Sequence, residues 1–296
     1  MPNTITLAQA FLPLLDEVYK VSSRTAVLDA MANRLRFVNA NTVQIFTTAM
    51  DGLADYNRNT GFVDGDVTGE WKNYVLEQDR GRSFMVDDMD DEETIRMAFG
   101  TLVSEFIRTR VVPEVDAYTF AKIAGTEGIL SDSADITGSS DIAKMIDEAD
   151  GALSEEEVPT EGRILFISEK AYSALVSGTA RNIANGEGKI DNGITNYNGK
   201  TIIRVPQNRF NTAINMASSG TGGFTPATGG YGINFLLMHP TAVSKVVKHV
   251  KPRIFSPDTN QKADAWKFDY RVYHDTFVME NKKKGIYLHR AAKANA

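Results

Sequence analysis

The chain has 296 residues, 42% of them hydrophobic and 24% charged, which supplies a core for one large domain or two small ones and argues against extended disorder. The absence of cysteine excludes disulfides, thiolate metal centres and cysteine nucleophiles, and fits assembly in a reducing cytosol. A net charge of −6 excludes a protein held on nucleic acid by its overall field, and no apolar run is long enough to span a bilayer.

The N-terminal segment has no Lys or Arg before Lys20 and carries Pro13 inside its apolar run, so it lacks the basic start of a secretory signal and is expected to stay cytosolic at synthesis. Leu7, Phe11, Leu14 and Val18, then Val27, Met31 and Leu35, recur at helical intervals on either side of Ser22 and Ser23. This pattern predicts two short helices in an apolar arm that needs its own domain or a neighbouring subunit to lie on. From Thr42 the period becomes two. Thr42 to Thr48 and Glu70 to Gln78 predict the strands of a long ribbon, with Asp51 to Gly69 as a polar, turn-rich tip. An isolated hairpin is marginal in water, so this one implies support from elsewhere, and its mixed charges suggest ionic docking.

Asp90 to Gly125 predicts one long helix, with Ile95, Phe99, Leu102 and Phe106 on a stripe and Val103, Ile107 and Val111 on the row beside it. Asp90 is placed to cap it, with Glu93 in capping-box position. Pro113 removes one backbone bond and bends a rod on the order of 50 Å long. A mixed α/β unit follows. It comprises a helix around Ile142 to Ala149, a strand from Arg163 to Ile167, a helix capped by Ser168, a strand from Thr201 to Val205, a surface loop from Gln207 to Gly230, a strand from Phe235 to Met238 and a helix from Thr241 to Lys248. Ala265 to Met279 alternates as a long half-buried strand after a turn at Pro257 to Asn260, and Asn281 to Gly285 reads as a lysine-rich hairpin into Ile286 to Leu288.

No motif points to catalysis. Gly199-Lys200-Thr201 ends like a phosphate loop, but Ile194 stands where the upstream glycine belongs and a strand follows. His239, His249, His274 and His289 are scattered and read as strand-surface residues, with His274-Asp275 the sole adjacent His-carboxylate pair. The acidic runs Asp87 to Glu93 and Glu155 to Glu157, and Lys282 to Lys284, read as solvated charge. No enzymatic role, cofactor or metal site is expected.

The order of parts is more informative. An apolar arm, a charged ribbon, a long bent helix, an α/β unit and a returning long strand resemble the major capsid proteins of tailed phages, the Hong Kong 97-type fold, of class α+β. Asp55-Tyr56-Asn57-Arg58-Asn59-Thr60-Gly61-Phe62 looks like the tip of that family's extension loop. Arg80-Gly81-Arg82-Ser83-Phe84, followed by Val111-Val112-Pro113-Glu114-Val115-Asp116-Ala117-Tyr118, looks like the entry to its spine helix and that helix's proline-kinked middle. Ala263-Asp264-Ala265-Trp266, Tyr273-His274-Asp275-Thr276-Phe277-Val278 and Asn281 to Tyr287 resemble its C-terminal strands in a subset of such proteins.

The resemblance implies an N-arm at 1–41, an extension loop at 42–87, a peripheral domain at 88–130 with 249–280, and an axial domain at 131–248. Residues 281–296 form a C-terminal strand and tail to which it gives no place. The implied function is self-assembly, as hexamers and pentamers, into an icosahedral phage head enclosing double-stranded DNA. An encapsulin-like nanocompartment around enzyme cargo is the alternative. The implied partners are other copies of the chain, a portal protein, a decoration protein in some members, and DNA held by weak non-specific contact. A separate scaffolding protein is expected because the arm starts almost at Met1. The location is the virion capsid, assembled in the host cytoplasm and without a membrane. Asp55, Tyr56, Arg58, Trp71, Arg80, Arg82, Asp258 and Asn260 are the expected inter-subunit contacts. Lys72 and Asn260 are the nominees for the family's covalent cross-link, with an ordinary surface role the simpler reading.

Overall fold

The computed structural model describes residues 23–29, 36–37, 42–56, 58–59, 61–88, 103–136, 139–178 and 194–295. In chain order the strands are β1 (Arg36–Phe37), β2 (Thr42–Met50), β3 (Val67–Val75), β4 (Gln78–Asp87), β5 (Leu130–Ser133), β6 (Ile164–Ser168), β7 (Asn196–Tyr197), β8 (Lys200–Val205), β9 (Ile214–Met216), β10 (Phe224–Pro226), β11 (Tyr231–Met238), β12 (Val243–Phe255), β13 (Ala265–Val278) and β14 (Ile286–Ala294). The helices are α1 (Val112–Ala124), α2 (Ser139–Glu155) and α3 (Glu169–Gly178).

Three packed units result. β2 and β3 pair antiparallel from Thr42 against Val75 to Met50 against Val67, with β1 beside β2, and form the ribbon. β4 leaves the ribbon and pairs with β13, giving a three-stranded sheet in the order β12-β13-β4. The third unit is a six-stranded sheet ordered β5-β14-β11-β6-β8-β7. Its central strands read as continuous apolar runs because both of their faces are covered. Leu165, Ile167, Phe235 and Leu237 pack under α2 and α3, while Phe166, Leu236 and Met238 face the core that contains α1.

The helical run from Val103 to Ala124 serves both sheets. Val103, Ile107, Val111 and Val115 pack on Phe268, Tyr270 and Val272 of the three-stranded sheet. Phe120 and Ile123, further along, enter the core of the six-stranded sheet, where the Phe120 ring meets Phe166 at 5.2 Å and Phe210 at 4.9 Å. Residues Ile107–Val111 form a π turn, with the Val112 N–H donating to the Ile107 carbonyl. Pro113 has no N–H to give, and its ring presses on the carbonyl four residues back, so a wider turn there relieves the ladder. The irregularity falls beside Pro113, where the sequence places a bend. The cap expected from Asp90 and Glu93 lies outside the described residues, as do the first of the two arm helices and the link after Asp29.

Several expectations are corrected. Thr241 to Lys248 is not a helix: a short 3-10 turn, Pro240–Ala242, leads into β12. Val243, Val246 and Val247 match a helical spacing by accident, because the first part of this strand is covered on both faces and its β-branched residues prefer the extended state. Asn281 to Gly285 is not a hairpin but part of a 3-10 segment, Glu280–Gly285, carrying the chain from one sheet to the other. Gln207 to Gly230 is not wholly loop, since β9 and β10 pair within it. Its glycines suit the connection: Gly220, Gly222 and Gly223 all have positive φ. β14 pairs with β11 and β5, which gives the C-terminal strand its place.

Phe120→Ala is expected to lower unfolding stability by about 3–5 kcal/mol, measured by urea denaturation. A loss under about 1 kcal/mol would mean that the helix is not shared between the two cores.

Candidate functional site

The ribbon is two-sided. Residues paired across β2 and β3 share a face, so Val43/Tyr74 and Ile45/Lys72 point one way and Phe46/Trp71 and Met50/Val67 the other. The first face lies on the chain's own body. Val43 joins Leu76, Val246 and Phe277 in a small core, the Lys72 ammonium meets Glu280 at 2.7 Å, and the Asn281 amide donates to the Thr48 carbonyl. The second face displays an apolar stripe, with Phe46 51% exposed, Trp71 47%, Met50 72% and Val67 71%. The Phe46 and Trp71 ring centroids are 5.0 Å apart. Gly69 lets the Phe46 ring lie across β3, since a Cβ there would stand 2.6 Å from its edge. At the tip, Leu53, Tyr56, Phe62 and Val63 line a shallow open pocket beside Asp51 and Asp64.

The base of the ribbon is tied down by charge. Leu76 and Glu77 join β3 to β4. The Glu77 N–H donates to Asp275 at 2.9 Å, its carboxylate takes Lys122 of α1 at 2.8 Å, and the Tyr273 hydroxyl donates to the Leu76 carbonyl at 3.0 Å. Tyr118 of α1 donates to the other Asp275 oxygen at 2.8 Å. Burial pushes the Asp275 carboxyl up, against the pull of these donated bonds, and burial beside Asp275 also pushes the Tyr118 phenol up. His274, next in β13, is buried edge-on to the Tyr118 ring.

The expected contact residues fall into three groups. Asp55, Tyr56 and Arg58 sit exposed at the ribbon tip, with Trp71 on the outward stripe. Arg80 and Arg82 lie on β4 and are engaged within the chain. Arg80 meets Glu114 at 2.7 Å and donates to the Ala217 carbonyl, and Arg82 donates to the Gly220 carbonyl, so both grip the β9–β10 loop. Asp258 and Asn260 lie in the turn between β12 and β13, where the Asn260 amide donates to the Ala265 carbonyl. The hydrogen bond from Lys72 to Glu280 raises the lysine pKa, which favours the ammonium over the free amine that a cross-link needs. Phe46, Met50 and Val67 escaped the sequence reading, although apolar residues at alternate positions of paired strands were the available signal.

Searched by sequence, the chain matches no family profile and no curated protein. Its fold is similar to the capsid structure of cyanophage P-SCSP1u, at 14% identity and a TM-score of 0.58, over 87% of this chain and 85% of that one. It is also similar to a structure from Gordonia phage Cozz, at 14% identity and 0.56, over 90% and 86%. A third similar structure is a virus-like particle from Pyrococcus furiosus, at 11% identity and 0.56, over 96% and 99%. The chain has the Hong Kong 97-type capsid fold. In that fold's terms the ribbon is the extension loop and the helix through Pro113 the spine helix. Among the described residues no helix is long and apolar enough to cross a membrane, and no three His, Asp or Glu side chains gather as a metal site.

The histidines depart from expectation: His274 and His289 are buried, not strand-surface residues. Burial, with Lys245 of β12 and Arg80 of β4 nearby, lowers the His274 pKa to about 4 from an ordinary 6.5. Tyr118 of the spine helix stands edge-on against it, and Asp275 is its neighbour along β13. As pH falls through 6.5 the unfolded chain takes up a proton that the folded chain refuses until about 4, so stability is lost across that window, by up to about 3 kcal/mol. Urea denaturation at pH 7 and pH 4.5 is expected to show a smaller loss for His274→Phe than for the parent. Equal losses would remove His274 from the acid response.

Proposed function

We propose that this chain is the major capsid protein of a tailed phage, a structural and non-enzymatic subunit that assembles as hexamers and pentamers into an icosahedral shell around double-stranded DNA. The observation that carries the proposal is the outward apolar stripe of the extension loop. An exposed run of Phe46, Trp71, Met50 and Val67 is an unusual sight on a free monomer and an ordinary one on a surface awaiting a partner. A second copy of the chain is the partner that suits a capsid fold. Asp55, Tyr56, Arg58 and Trp71 contact it first in this reading, with Asp258 and Asn260 at a separate point of the subunit.

The regions divide as arm (1–41), extension loop (42–87), peripheral domain (88–130 and 249–280) and axial domain (131–248), with β14 attached to the axial sheet. A scaffolding protein, a portal and, in some shells, a decoration protein complete the assembly in the host cytoplasm. The net negative charge suits a container wall, because it leaves packaged DNA unbound except through local contacts. An encapsulin-like compartment is the second reading, supported by the near-complete overlap with the Pyrococcus virus-like particle.

Electron microscopy of the chain co-expressed with its assembly partners is expected to show closed shells, with nuclease-protected DNA in particles recovered from a full infection. Shells that carry an enzyme and no DNA would favour the compartment. Trp71→Glu and Arg58→Glu are each expected to cut particle yield at least tenfold while circular dichroism stays native. Normal yield from both would refute the role given to the extension loop.

A further inference from the structure

Two oppositely charged side chains stand in the interior of the body, and the partners of both come largely from one short stretch of the arm. Asp116, in the spine helix, is 0% exposed, and Lys245, in β12, is 1% exposed. Asp116 accepts from the Ser23 hydroxyl at 2.9 Å, the Arg24 N–H at 3.0 Å, the Thr25 N–H at 3.2 Å and the Thr25 hydroxyl at 2.7 Å, with Arg209 at 3.4 Å as its contact from the body. Lys245 donates to the Thr25 hydroxyl at 3.0 Å and pairs with Asp29 at 3.1 Å. Between these two points Leu28 inserts into the apolar core beside Phe120 and Ile123.

The segment itself is slight. It is a single 3-10 turn closed by a Leu28 to Thr25 backbone bond, and it pairs with no strand. Thr25 and Leu28 are buried, while Arg24 and Val27 face outward. Its contacts with the body are those of a bound peptide. A carboxylate reads the first free N–H groups of a turn, as at a helix N-terminus. An ammonium reads the acid at its far end, and a pocket takes one leucine. An empty site would leave Asp116 with Arg209 alone and Lys245 with neither of these partners, a costly state for buried charge.

We propose that Asp116, Lys245 and the Leu28 pocket form a peptide-binding socket whose ligand is the chain's own segment Ser23 to Asp29, held in cis as a detachable plug. This goes beyond the assembly reading, because it concerns the single subunit and holds whether or not shells form. The socket lies on the spine helix half a turn from Tyr118, which ties down the base of the extension loop. Plug occupancy and ribbon anchorage therefore share one helix.

The test uses the full chain, kept unassembled at low concentration, and a fluorescein-labelled synthetic peptide with the sequence of residues 22–30. Fluorescence anisotropy is expected to show saturable binding to the chain carrying Leu28→Asp, whose own plug no longer fits. Binding to the parent chain should be weaker by about tenfold or more, since its tethered plug competes at an effective concentration near the mM range. A peptide carrying the Thr25→Val and Leu28→Asp changes should not bind. A second unseated chain, Ser23→Ala with Thr25→Val, guards against a folding defect peculiar to Leu28→Asp. The proposal is overturned if a folded unseated chain does not bind the peptide, or if the altered peptide binds as well. It is equally overturned if neither unseated chain folds, for the segment is then part of the folding core.

Discussion

One helix has to satisfy two sheets. The run from Val103 to Ala124 lays Val103, Ile107, Val111 and Val115 on the three-stranded sheet and then turns Phe120 and Ile123 into the six-stranded one. Each fully buried side chain of this kind contributes about 1.5–3 kcal/mol, so neither core is complete without it. The π turn ahead of Pro113 falls in the part of the helix that faces the three-stranded sheet. A widened turn rotates the later half of a helix relative to the earlier half, and that offset is one way for a single helix to present different faces to two surfaces. The extension loop, through Glu77 and Lys122, and the arm segment, through Asp116, then attach to the half of the helix beyond Pro113.

Those attachments are polar where the core around them is not, and this sets how the subunit can yield. Asp275 gathers bonds from Tyr118, Glu77 and Thr276, so a β-strand, a helix and the ribbon joint converge on one carboxylate. Apolar packing tolerates small sliding, whereas buried hydrogen bonds are made or lost as units. The ribbon base is accordingly fixed by a set of directional bonds that must all be met at once. Arg80 and Arg82 add a second restraint by holding backbone carbonyls of the β9–β10 loop within the same chain.

What the sequence disclosed depended on which physical signal each element carried. The ribbon, α3 with its Ser168 cap, and β13 were legible because period, turn chemistry and capping agreed. β12 was misread because a strand covered on both sides has no alternation, and three valines happened to match a helix. The fate of β14 was hidden for another reason: whether a strand returns to its neighbour or crosses to a different sheet depends on long-range pairing. The same limit hid the plug. Ser23, Thr25 and Asp116 stand some 90 positions apart, and nothing local to either stretch marks the other as its partner. Trp71 was picked out, yet its stripe-mates Phe46, Met50 and Val67 were not, because deciding which face of a ribbon is covered requires knowing where the body lies.

The stripe also explains why the proposed assembly would favour closed rings over pairs. Phe46 and Trp71 are already about half covered and Met50 and Val67 less so, and removing the rest of the four from water gains roughly 1–2 kcal/mol each, on the order of 5 kcal/mol in all. Association of two bodies costs a comparable amount or more in lost freedom, about 4–15 kcal/mol. One ribbon laid on one neighbour is therefore a weak contact. In a ring every subunit gives a ribbon and receives one, and the last subunit to enter makes both contacts while losing its freedom once. Cooperativity then arises from geometry, with no single strong interface required. On the proposed reading, such a subunit would stay dispersed when dilute and commit only when enough neighbours are present to close the circle.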